Sequence, residues 1–157
     1  MLRRRVIEGL CLFLSSVLVQ AQSGVQRLQD VKKLYVGSLG DSEGSDLIRS
    51  KIISHLVKSG RIEVVENENQ ADAILTGASK VAQRAYYNAN ATTTNANANA
   101  GTRYDATAGV RLLNKDSRIL WADDTSNGMF ARSVTSSIAD KISKDLLKAI
   151  AADAKKK

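Results

Sequence analysis

The chain of 157 residues has one cysteine, one histidine and no proline, and aromatic residues make up only 4% of it. A lone cysteine, Cys11, closes no intramolecular bridge, so a disulfide-built scaffold is excluded. One cysteine and one histidine also leave almost no material for a zinc site or a Cys/His nucleophile pair. What is there, 43% hydrophobic and 25% charged residues, suits one compact domain rather than a disordered or collagen-like polymer.

The N-terminus carries the clearest targeting pattern. Met1-Leu2-Arg3-Arg4-Arg5 is basic, Gly9 to Val19 is an apolar run, and Val19-Gln20-Ala21 supplies the small or aliphatic residues of a cleavage site. Residues 1–21 are therefore expected to be a secretory signal peptide, since the apolar run falls well short of the roughly 20 residues that span a bilayer. Leu10 before Cys11 does not fit the small residue of a lipobox. Without this segment the balance falls from +7 to 20 basic against 15 acidic residues, and Lys155, Lys156 and Lys157 carry three of the remaining positive charges. A domain body so close to neutrality gives little support for nucleic-acid binding, and 155–157 reads as a solvated basic tail.

Residues 22–30 are polar and are expected to be a leader into a single domain over 31–154. Val31 to Leu39 fits a buried first strand. Gly44-Ser45-Asp46 offers cap-type residues for a helix whose apolar stripe is Ile48, Ile52 and Leu56 and whose end is Gly60. Arg61–Glu66 and Ala73–Val81 read as two further strands. From Tyr104 to Leu112 apolar residues alternate with polar ones, a half-buried strand, and Asn114-Lys115-Asp116-Ser117 turns the chain into Arg118–Ala122. Val134, Ile138, Ile142, Leu146 and Ile150 predict a closing amphipathic helix. The expectation is an α+β fold, a mixed, mostly antiparallel sheet of about five strands with two helices on one face, in the order β-α-β-β-β-β-α.

Asn88 to Ala100, a low-complexity run of asparagine, alanine and threonine, is expected as the exposed, mobile tip of a long hairpin. As a lipid-inserted hairpin it lacks outward-facing large apolar residues. The aromatic residues Tyr86, Tyr87, Tyr104 and Trp121 are the candidate partner or ligand contacts, with Trp121 equally explained as a sheet-face anchor.

No cluster makes an enzyme signature. Asp41-Ser42-Glu43-Gly44-Ser45-Asp46 begins like a calcium loop, but Ile52 stands where the bidentate glutamate belongs. Asp123-Asp124 are neighbours that a strand sends to opposite faces. His55 sits at the border of the helical stripe with no serine or carboxylate placed beside it by spacing. Gly37-Ser38-Leu39-Gly40 has the location of a phosphate loop without its lysine or glycine spacing. Neither a metal nor a cofactor is implied.

Two blocks resemble a known family. Ser59-Gly60-Arg61-Ile62-Glu63-Val64-Val65-Glu66 followed by Ala71-Asp72-Ala73-Ile74-Leu75-Thr76-Gly77 is the first. Val110-Arg111-Leu112-Leu113 with Arg118-Ile119-Leu120-Trp121 is the second. Together they resemble the small α/β domain of curli-secretion-channel subunits, outer-membrane activators of penicillin-binding proteins and the N-terminal domain of TolB-type proteins. The chain departs from those proteins in having no lipidated cysteine after the signal, in having Asp116-Ser117 where Thr-Gly is usual, and in lacking the channel's membrane-spanning insertions. The resemblance implies the fold and an envelope location, and carries over no catalytic residue. The functional expectation is thus a non-enzymatic interaction or assembly component of the bacterial envelope, periplasmic or outer-membrane associated. Its partner would be another envelope protein or a second copy, with no nucleic acid and no transmembrane span in the mature chain. A periplasmic module binding a small ligand or glycan is the alternative.

Overall fold

The structure, a computed structural model, describes residues 25–42, 44–91, 96–129 and 134–156. The expected signal peptide, the first residues of the leader, Glu43, part of the low-complexity run and Lys157 lie outside the described residues.

Five strands form one sheet in the order β2-β1-β3-β4-β5. β1 (Lys33–Val36) lies parallel to both β2 (Glu63–Val65) and β3 (Ala73–Ala91), while β3, β4 (Ala96–Asn114) and β5 (Ile119–Met129) form an antiparallel meander. The helices α1 (Ser45–Ser59) and α2 (Val134–Asp153) cover one face. Element order, class and layering are those expected from the sequence.

The patterning explains why. Ile48, Ile52 and Leu56 of α1 and Val134, Ile138, Ile142 and Leu146 of α2 are all buried, as the helical stripes require. Ala106, Ala108, Val110 and Leu112 of β4 are buried too, whereas Arg103, Thr107 and Arg111 are exposed, so the alternation separates the helix-covered face from an open one.

Several boundaries differ from the sequence expectation. Ser45 does not cap α1. Gly44 is the N-cap in the left-handed region, at φ 85°, and a Cβ there would meet Val81 Cγ2 at 2.7 Å. Freed from capping, the buried Ser45 hydroxyl donates to the Ser79 carbonyl of β3, tying the start of the helix to the sheet. The leader is not merely polar approach. Leu28 is buried, and the Leu28–Asp30 turn is held to the end of α2, with the Gln29 amide donating to Asp153 Oδ2 at 3.2 Å. The Asn114 side chain donates to the Val25 carbonyl and accepts from the Asp116 and Arg118 amides, so one residue shapes the β4–β5 turn and fastens the leader to it.

The largest difference concerns residues 88–100. Strand pairing runs on through Asn88↔Asn99 to Ala91↔Ala96, so most of the expected tip belongs to the arms of the hairpin. Composition disfavours strand here, but register handed on from the firmly paired base overrides local propensity.

Candidate functional site: a bare ribbon and the cleft at its base

β3 and β4 outrun everything that supports them. β1 pairs with β3 only as far as Leu75, the chain after β1 follows to Ser79, whose amide donates to the Leu39 carbonyl, and β5 ends opposite Tyr104. Beyond that level, eight pairs from Arg84↔Arg103 to Ala91↔Ala96 form a ribbon with no third strand among the described residues. At about 3.4 Å per residue it projects roughly 27 Å. In its outer half Asn88 pairs with Asn99, Ala89 with Ala98, Asn90 with Asn97 and Ala91 with Ala96.

Two devices brace the base. Asp105 takes Arg103 Nε at 2.9 Å and Arg84 Nε at 3.3 Å, offsetting two arginines that stand directly opposite each other. Tyr86 lies across Gly101, where a Cβ would come within 2.6 Å of the ring, so the aromatic covers the bare backbone of its partner.

On the helix side, where α1 and α2 both begin, the helices leave a cleft of about 360 Å³ over the base of the ribbon. Leu47 of α1, Val81 and Gln83 of β3, Tyr104 of β4, and Val134 and Thr135 of α2 line it, with Gly44 at its edge. Leu47 is half exposed. Thr135 is only 5% exposed and its Oγ1 has no hydrogen-bond partner.

The four aromatic residues chosen from the sequence do not converge on one platform. Tyr104 and Trp121 share the helix side, but Trp121 pairs with Leu112, eight residues up β4 and roughly 27 Å away, packed against the core. Tyr87 projects from the ribbon on that side, exposed, and Tyr86 lies on the opposite face. Only Tyr104 reaches the cleft. The cleft itself escaped sequence reasoning because its walls come from four elements, and the one hint, Tyr104 closing an alternating strand, was shared with ordinary core positions.

The other sequence features have structural places. The turn after β1 spends its groups on β3 and α1: the Gly37 amide donates to Leu75, and Arg49 Nε donates to the Val36 and Gly37 carbonyls. His55 faces Asp140 across the helix pair at 3.9 Å. Asp123 and Asp124 fall opposite Val110 and Gly109, hence on opposite faces. Among the described residues no three metal-ligating side chains gather, and no helix is long and apolar enough to cross a membrane.

Fold and site define an α+β domain with a mixed sheet, helices on one face and a projecting β-ribbon. No protein-family model and no curated protein matches the chain. Among solved structures, a putative neuraminyllactose-binding hemagglutinin homolog from Helicobacter pylori superposes with a TM-score of 0.50 at 8% identity, over 81% of this chain and 87% of that one. A PelC variant dodecamer from Paraburkholderia phytofirmans (0.44, 13% identity, 82% and 92% covered) and a minor lipoprotein from Acinetobacter baumannii (0.41, 11%, 78% and 92%) also align. The first of these likenesses establishes a shared fold.

Proposed function

We propose that this protein is a non-enzymatic interaction or assembly component of the bacterial envelope, and that the β3–β4 ribbon engages its partner, either another envelope protein or a second copy. The observation that carries this reading is the eight-pair ribbon, along whose two edges no further strand pairs among the described residues. A two-stranded ribbon in water is marginally stable on its own, and an open edge is a template for added strands. Export rests on the signal-like segment Met1–Ala21, and the envelope setting on the sequence resemblance to curli-channel, penicillin-binding-protein-activator and TolB-type domains.

The test replaces residues 84–103 by a two-residue Asn-Gly turn, leaving the supported part of the hairpin intact. Light scattering on the purified protein and crosslinking in intact cells are then compared with the parent. Loss of oligomer or crosslinked adduct, with the cooperative thermal unfolding of the remaining domain retained, is the expected result. A folded, ribbonless variant that keeps the same mass and the same adducts refutes the proposal.

A further inference from the structure

The sheet face turned away from the helices is less polar than a wet face should be. Tyr35 of β1 pairs with Val65 of β2 and Ile74 of β3, Ile74 pairs with Leu113 of β4, and Leu113 pairs with Ile119 of β5. One apolar row thus crosses all five strands in register. Leu34, Val64, Leu75 and Leu112, next to it along the strands, pack in or against the core, so alternation turns the row to the other face. Ile119 is 57% exposed and the other four are partly buried. A Cβ on Gly37 would meet the Tyr35 ring at 3.7 Å and Ile74 Cγ2 at 3.8 Å, so these two side chains flank a bare stretch of backbone. The next two rows are Gly37, Thr76, Arg111 and Ala122, then Ala78, Gly109 and Asp124. Antiparallel strands with one solvated face normally carry polar residues there. Here Arg111 and Asp124 are the only charges in three rows. The patch is therefore neutral in a chain of net charge +7, and a second copy meets no repulsion on it. These residues and their chain neighbours are all described, and the leader enters on the helix side, where Val25 and Leu28 pack with the core.

We propose that this face binds a second copy of the chain, sheet against sheet. β3 is the central strand, so the row is symmetrical about Ile74. A two-fold axis along β3 sets Ile74 on the partner's Ile74, Tyr35 on the partner's Leu113 and Val65 on the partner's Ile119, apolar on apolar at each position. Arg111 comes over the partner's Gly37, where no side chain blocks it. The small residues of the flanking rows let the two sheets approach to about 10 Å, the usual packing distance. Strands about 4.8 Å apart and rows about 6.8 Å apart give a patch of roughly 500 Å² on each copy. The pair covers roughly 1,000 Å², the lower bound for a specific interface, so the dimer is weak and reversible, with Kd in the micromolar range. This contact is separate from the ribbon. Arg84, where the ribbon begins, lies ten residues along β3 from Ile74, roughly 34 Å away.

Sedimentation equilibrium of the purified protein from about 1 μM to about 1 mM is expected to show a monomer–dimer equilibrium. Isotope-filtered nuclear Overhauser spectra of mixed labelled and unlabelled copies are expected to show Val65 methyls against Ile119 methyls. Those residues stand on the two edge strands of one sheet, roughly 19 Å apart, too far for the signal to arise within a chain. Ile119→Asp, at an exposed position, keeps cooperative thermal unfolding and raises Kd at least about 100-fold, tenfold for each of the two symmetry-related contacts. The variant lacking residues 84–103 keeps this dimer and its Val65–Ile119 contact while losing its crosslinks in cells, so failure of the ribbon reading and failure of this one are told apart. A protein that stays monomeric across the concentration range, a dimer without the Val65–Ile119 contact, or an unchanged Kd in folded Ile119→Asp overturns the proposal.

Discussion

Gly77 stands opposite Val110 in the middle of the β3–β4 ladder. A methyl group there would lie 2.1 Å from the Gly109 carbonyl oxygen and 2.9 Å from Val110 Cα. Both are backbone atoms of the next strand, so no side-chain rotation relieves the overlap, and β4 must retreat by about 1 Å to restore ordinary contact distance. Such a retreat loosens the flanking interstrand hydrogen bonds. A buried backbone group left unpaired costs about 1–3 kcal/mol, so two of them cost about 4 kcal/mol. Alanine restores roughly 0.4–1 kcal/mol by restricting the unfolded chain. Gly77→Ala is therefore expected to destabilise by about 3 kcal/mol, or roughly 10 °C in Tm for a domain of this size. Gly37→Ala is the control, because the nearest backbone atom there is the Leu75 oxygen at 3.4 Å, and it stays within about 1 kcal/mol of the parent. Urea unfolding followed by Trp121 fluorescence, with thermal circular dichroism beside it, measures both. A Gly77→Ala protein within about 1 kcal/mol of the parent would show that the strand spacing at this point does not demand glycine.

Other perturbations read other parts of the structure. Ser117, at φ 60° in the β4–β5 turn, occupies a conformation suited to glycine, so Ser117→Gly is expected to raise stability by about 0.5–1 kcal/mol in the same urea assay. Leu146→Ala, at a fully buried α2 position, costs about 2–5 kcal/mol. Asp105→Asn leaves Arg84 and Arg103 facing each other without their shared carboxylate. Amide exchange should accelerate along the ribbon but not in α1, and the effect should shrink in 1 M salt, with a Debye length of about 3 Å. Asp153→Ala removes the acceptor for the Gln29 amide and the ion pair to Arg27, at a cost of about 1 kcal/mol, read as faster exchange at Gln29.

The elements legible in the sequence are those whose periodicity reports burial directly. Ile48, Ile52 and Leu56 mark α1, Val134 through Leu146 mark α2, and Ala106 through Leu112 mark the covered face of β4, all at their expected places. What periodicity does not encode is partnership. The parallel placement of β1 between β2 and β3 depends on the seven-residue link through Glu68–Gln70, where Asp72 accepts from the Lys32 and Lys33 amides, and no local pattern announces that. Leu28 reads as an isolated apolar residue among polar ones, and its burial becomes visible only once α2 and the β4–β5 turn stand beside it. The extent of the ribbon was hidden for the complementary reason, since asparagine and alanine carry weak strand preference and the pairing is imposed from the base. Of the candidate contacts, Tyr104 alone belongs to the cleft, because a cleft is a property of several chain segments at once.

The asparagine and alanine pairing along the ribbon makes its outer part a ruler with a two-residue graduation. Adding one Asn-Ala dipeptide to each arm keeps asparagine opposite asparagine and alanine opposite alanine, and lengthens the projection by about 7 Å without touching the base. The same repetition means that sliding one arm by two residues restores like-with-like matching, so the outer pairs do little to hold their own alignment. That task falls to Tyr86 over Gly101 and to the Arg84–Asp105–Arg103 trio. Reach and alignment are thus separable in this chain: the first is tunable by repeat number, the second anchored in a handful of residues where the ribbon leaves the domain.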